Sequence, residues 1–165
     1  MNKKVEDALN QQIKHELDSA YVYLSMSAFC ESRSLTGFAH WMRSQYEEET
    51  VHAMRLYDFV HARGGRVALK GLDQPPTEFG SPLKLFQEVL DHEKRVTGLI
   101  HDLYELALSE KDYATQVELQ WFITEQVEEE ASVGDIIDQL KLVGDSGPAL
   151  HRMDRHLAKR GAEAE

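Results

Sequence analysis

Apolar residues recur along the chain in steps of three and four, the spacing that gives an α-helix one buried face. Leu9, Ile13, Ala20 and Leu24 form one such row, and Phe38, Trp41, Met42, Leu56 and Val60 a second. Phe86, Val89, Ile100 and Leu103 form a third, and Leu119, Phe122, Val133, Ile136, Leu140 and Val143 a fourth. No stretch alternates apolar and polar residues long enough to make a strand. Glycine and proline are absent from Met1 to Thr36 and from Phe38 to Arg63. They then crowd into one segment as Gly64, Gly65, Gly71, Pro75, Pro76, Gly80 and Pro82. Gly144, Gly147 and Pro148 make a second break before a short amphipathic stretch. Ser81 with Pro82, Asp112, and Ser146 near Pro148 are helix starts by residue type. The pattern predicts helices over 5–33, 36–63, 82–110, 113–143 and 147–159, with a connection over 64–81 and a fraying end over 160–165. Short joins put successive helices antiparallel, and the 64–81 segment can run the length of a bundle and leave the second and third helices parallel. The expected fold is all-α: one domain spanning 1–165, a four-helix bundle with one long crossover and a short fifth helix.

Composition narrows the class. Of 165 residues, 42% are apolar, enough for a real core. Eighteen Lys and Arg face 29 Asp and Glu, a formal net charge of -11. Such a surface repels phosphates, so nucleic acid is not an expected partner, whereas cations are. Cys30 is the sole cysteine, which excludes an internal disulfide and any Cys-based zinc or iron–sulfur site. No apolar run matches a signal peptide or a membrane span, and the expectation is a soluble cytoplasmic protein with no membrane partner.

The chemistry lies where the apolar rows are interrupted. Glu16 falls in the first row, Glu49 and His52 in the second, Glu93 in the third, and Gln126 and Glu129 in the fourth. Glu16 and Glu49 are 33 positions apart, as are Glu93 and Gln126. Glu16 and His52 are 36 apart, as are Glu93 and Glu129. The two halves are therefore offset by 77, and each supplies a Glu followed by a pair at i, i+3 on one helix face. A buried ionised carboxylate costs several kcal/mol, and four together rival the stability of a domain. Lys14, Arg43, Arg55, Lys94 and Arg95 lie beside these rows and not in them, so the remaining remedies are protonation or metal. Two divalent cations would balance four carboxylates. Oxygen ligands with one imidazole and no thiolate suit iron or manganese, with zinc a competitor. Bundles with this arrangement hold pairs of metal ions between their helices.

At these residues the chain resembles the ferritin superfamily, and within it the bacterial non-haem ferritins. The matching segments are His15-Glu16-Leu17 with Tyr23, Tyr46-Glu47-Glu48-Glu49-Thr50-Val51-His52, His92-Glu93, Leu119-Gln120-Trp121-Phe122 and Glu125-Gln126-Val127-Glu128-Glu129-Glu130. The resemblance covers nearly the whole chain. Gln126-x-x-Glu129 replaces the second Glu-x-x-His of bacterioferritin-like and rubrerythrin-like proteins. The resemblance implies iron storage with ferroxidase activity: Fe(II) is oxidised by O2 or H2O2 at an intra-bundle pair site and kept as ferric oxyhydroxide. It implies one iron on Glu16, Glu49 and His52, and a second on Glu49, Glu93 and Glu129, with Glu49 bridging and Gln126 alongside. Tyr23 would stand beside the pair as an electron or hydrogen-bond donor, the alternative being a core aromatic with a satisfied hydroxyl. A third iron would use Glu48, Glu125, Glu128 and Glu129, the alternative for the first three being a solvated acidic face. The partner implied is the chain itself, in a homo-oligomeric cage of twenty-four with the fifth helix at the four-fold axes. Two other readings remain: a bundle that binds divalent metal without oxidising it or is structural only, and a di-metal oxidase or peroxidase that forms no cage. Trp41, Trp121, Phe38 and Phe122 are read as packing, Met26, Met42 and Met54 as core fillers, Cys30 as a small buried hydrophobe, and Gly98 and Gly134 as points of close helix approach.

Overall fold

A computed structural model describes residues 1–144 and 146–160, so most of the 160–165 end lies outside the described residues. The helices are α1 (Lys3–Ser32), α2 (Thr36–Ala62), α3 (Pro82–Ser109), α4 (Tyr113–Val143) and α5 (Gly147–Leu157), with no strand among the described residues. Their starts follow from side-chain caps. Asn2, Ser81, Asp112 and Ser146 each accept a hydrogen bond from a backbone N–H two or three residues on, at the first turns of α1, α3, α4 and α5. The two short joins each pass through one left-handed residue, Ser34 (φ 59) and Lys111 (φ 57).

Leu35 precedes α2 and has no side chain that can cap it. The cap comes from α5 instead. Asp154 Oδ1 accepts from the N–H of Gly37 at 2.8 Å and of Phe38 at 3.0 Å. This contact requires glycine, since a Cβ at position 37 would lie 1.6 Å from the Asp154 carbonyl oxygen. The expectation for Gly98 and Gly134 is corrected: an added Cβ at either meets nothing within 4 Å. Close approach occurs at Gly37, where helix meets helix end on.

Side-chain pairs set the helix directions. Gln45 meets Glu129, Arg55 meets Glu118, and Arg63 meets Asp112, so numbers rise on α2 as they fall on α4. Those helices are antiparallel. Ser19 with His92 and Tyr23 with Glu93 join α1 to α3 in the interior. The long connection lies along α1: Arg66 and Ala68 bond Asn10, Lys70 bonds Gln11, Asp73 bonds Asp18, and the Pro76 carbonyl accepts from Ser25. Phe79 then closes the run edge-on to Phe29, ring centres 5.5 Å apart. The segment that reads as a crossover therefore traverses most of α1 before α3 begins.

The core is split in two. One apolar cluster holds Val5, Leu9, Ile13, Leu56, Val60, Val96, Ile100, Leu119 and Phe122. The other holds Tyr23, Met26, Phe38, Trp41, Met42, Phe86, Val89, Val133 and Ile136. Between the two, each long helix carries buried polar residues: Glu16 on α1, Gln45, Glu49 and His52 on α2, Glu93 on α3, Gln126 and Glu129 on α4. Met26 and Met42 are core residues as expected, but Met54 is 46% exposed, so that expectation is corrected. It sits on α2 two positions past His52, on the opposite face from the buried row.

Candidate metal centre

The polar layer is buried and crowded with carboxylates. Glu16, Glu49, His52, Glu93, Gln126 and Glu129 are all buried. Glu16, Glu49 and His52 converge, each offering a ligand atom within 4.8 Å of the others'. His52 Nδ1 lies 3.5 Å from Glu49 Oε2. Its ring is held edge-on by Trp121 and Phe122, at 5.3 and 5.9 Å between centres. Gln12 Nε2 donates to Glu16 Oε1 at 2.8 Å from one turn below. Glu49 has no amide or hydroxyl donor on either of its buried oxygens, and its one hydrogen-bonding neighbour is the Glu16 carboxyl, with which it can share a proton.

The α3–α4 half is organised otherwise. Tyr23 Oη donates to Glu93 Oε1, and Gln126 Nε2 donates to Glu93 Oε2 at 3.1 Å and to its carbonyl at 3.2 Å. Gln45 Nε2 donates to Glu129 Oε2 at 3.0 Å. Glu93 and Glu129 thus accept bonds from neutral groups.

Electrostatics follows from burial. Desolvation raises the Glu16 and Glu49 carboxyls well above the usual range, reinforced at Glu16 by the Glu49 charge and at Glu49 by Glu93. Burial also raises Glu93, against the lowering effect of its bonds from Tyr23 and Gln126. Glu129 is pushed up to about 7, by burial first and the Glu93 charge second. Burial and then Glu93 raise the Tyr23 phenol, so it stays a donor. No lysine or arginine of the described residues lies within salt-bridge distance of these four carboxylates; His52 alone does. A bare buried acceptor costs about 1–3 kcal/mol, and more when charged. Glu49 is the place where that cost is concentrated, and a divalent cation removes it. The donor set of carboxylate oxygens and one imidazole fits iron.

The residues tied to a third ion lie differently. Glu48 is part exposed and ion-paired to Arg160 Nη2 at 2.7 Å, and the Arg160 guanidinium also stacks over Trp41 at 4.5 Å. Glu125 is half-buried and Glu128 exposed. Two residues escape the sequence reading, Gln12 and Gln45. Each is buried and sits four positions before a buried glutamate on its own helix, a spacing that was there to be used.

A family model for the ferritin-like domain matches residues 6–143. The chain belongs to the ferritin family. It is 41% identical over 160 residues to a bacterial non-heme ferritin of Bacteroides fragilis, covering 97% of this chain and 99% of that one. A bacterial non-heme ferritin of Staphylococcus saprophyticus is also 41% identical, with 97% and 96% covered. Among solved structures, an open pore ferritin from the archaeon Archaeoglobus fulgidus superposes with a TM-score of 0.95 at 49% identity, covering 96% of this chain and 98% of that one. The family match stops at Val143, so α5 of this ferritin lies beyond it. No helix among the described residues is long and apolar enough to cross a membrane.

Proposed function

We propose that this ferritin stores iron and oxidises it. Fe(II) is the substrate. One ion takes Glu16, Glu49 and His52; the next takes Glu49, Glu93 and Glu129, with Gln126 beside it. O2 or H2O2 removes one electron from each ion, and a pair of ions delivers two electrons together. Hard oxygen ligands favour Fe(III) over Fe(II) and so favour the forward direction. The Fe(III) then hydrolyses to ferric oxyhydroxide inside a homo-oligomeric cage of twenty-four chains. Within this scheme Tyr23 holds Glu93 in place, and His52 is kept in orientation by the two aromatic rings against it. A third ion on Glu48, Glu125, Glu128 and Glu129 belongs to the same proposal, and it has to take Glu48 from Arg160. A cytoplasmic setting is part of the reading.

One observation carries it: Glu49, fully buried between Glu93 and the Glu16–His52 group, has two unpartnered oxygens and no lysine or arginine to neutralise it. The test is aerobic addition of Fe(II) to the metal-free protein, following ferric absorbance and oxygen uptake, with Glu49→Ala alongside. Rapid oxidation that saturates near two ions per chain and is lost in the variant supports the proposal. Metal uptake without oxygen consumption would replace it with a passive divalent-metal bundle.

A further inference from the structure

Gln45 has the most unusual surroundings of any polar side chain in the interior outside the ligand set. It is 0% exposed and sits one helical turn before Glu49 on α2. Its amide nitrogen is committed to Glu129 Oε2 at 3.0 Å. With Glu129 ionised, as a metal ligand must be, that fixes which end of the amide faces which way, because a carboxylate oxygen only accepts. The carbonyl oxygen is therefore turned elsewhere, and there it meets no donor. Gln12 and Gln126 also clamp carboxylates, yet neither leaves a buried amide oxygen without a partner. The fully buried acceptors of the layer that remain unpartnered are the two oxygens of Glu49 and the one oxygen of Gln45, all on the same face of α2. Glu49's oxygens call for a cation. Gln45's oxygen is a neutral acceptor and calls for a proton donor, and water on a bound ion is a strong donor.

We propose that Gln45 is a positioning residue of the pair site. Its N–H holds Glu129 in place as a ligand of the second ion, and its carbonyl accepts a hydrogen bond from water carried by that ion. The inference rests on the reading of Glu16, Glu49, His52, Glu93 and Glu129 as two ion positions. It extends that reading to a residue that touches neither ion. Groups that orient a ligand in this way change metal affinity by about 10- to 100-fold.

The probe is Tb(III), titrated into the metal-free assembled protein and followed by luminescence. Lifetimes in H2O and D2O count the waters on each bound ion. Wild type is expected to bind two ions per chain in distinguishable steps. Gln45→Met, close in volume, should weaken the second step about 10- to 100-fold and alter its water count, with the first step changed less than twofold. Gln45→Glu, equal in size but lacking the N–H donor, should likewise act on the second step alone. In a Glu129→Gln background, Gln45→Met should add nothing further. The proposal is overturned if both variants leave the second step within twofold of wild type, or if both steps fall together. It also falls if the two substitutions act additively. A wild type that binds no ion at a position sensitive to Glu49→Ala would instead sink the underlying two-ion reading.

Discussion

The α1–α2 and α3–α4 hairpins carry the same polar spacing at an offset of 77 and put it to different physical use. In the first, Glu16, Glu49 and His52 already converge, and Glu49 is left bare. In the second, Tyr23 and Gln126 supply neutral donors to both oxygens of Glu93, and Gln45 supplies one to Glu129 Oε2. An imidazole at position 52 against a carboxylate at 129, and a carboxylate at 49 against an amide at 126, are enough to separate the two halves. Both halves answer burial with carboxyls raised above their ordinary range. The second adds hydrogen bonds from neutral donors to both of its carboxylates, and the first leaves Glu49 without one. The difference teaches that a duplicated pattern fixes where ligands stand, while their neighbours decide which position is ready for an ion.

The largest expected effect comes from removing the bare residue. Glu49→Ala should abolish binding of both ions and reduce Fe(II) oxidation to the buffer rate. Glu93→Gln should spare the first ion and weaken the second by more than the roughly 10- to 100-fold that loss of an outer partner costs, because it replaces a charged ligand. Zinc or cobalt titration by calorimetry reads both. Equal loss of both ions in Glu93→Gln would erase the contrast between the hairpins.

Next is pH. Glu129 has a folded-state pKa of about 7, above its ordinary value of 4.5, so between these values the folded chain holds a proton that the unfolded chain releases. The stabilisation from this group is therefore fully present below pH 4.5, and up to about 3 kcal/mol of it is lost as pH rises from there to 7. Metal affinity should rise over the same range, because the ligand must be deprotonated to bind. Thermal unfolding between pH 5 and 8, with and without zinc, tests both signs. A metal-free protein that gains stability over that range would mean that Glu129 is ionised at little cost.

Smaller effects sharpen the picture on each side. Tyr23→Phe removes one donor to Glu93 and should cost about 1 kcal/mol in the metal-free protein, seen as a shift in the denaturation midpoint. Gln12→Leu removes the corresponding donor to Glu16. It should destabilise the metal-free protein by a similar amount, about 1 kcal/mol, and loosen the first ion more than the second.

Much of this was legible in the chain because the signals were local. Ser81 with Pro82 and Asp112 mark helix starts by residue type alone, and both cap where they stand. The polar positions in the apolar rows announced the layer, since burial of each row is forced and charge in it is conspicuous. What was hidden depends on packing. Glutamine is ordinary on a helix surface, so Gln12 and Gln45 stood out only once burial was known. Gly37 stands before the second apolar row like any helix-end glycine, and its need for space is set by Asp154, 117 residues away. Gly98 and Gly134 sit inside helices and suggested crowding that does not occur within the chain. Met54 was misread because methionine is equally at ease inside and out.

The Asp154 cap also has a meaning in time. The chain emerges from its N-terminus during synthesis, and α2 leaves the ribosome with two backbone donors at its first turn that its own sequence cannot satisfy. Their partner is made only 117 and 116 residues later. The start of the second helix is thus finished by the fifth. A chain cut short before Asp154 would leave the amides of Gly37 and Phe38 without this partner, at the edge of the cluster that holds Phe38 and Trp41.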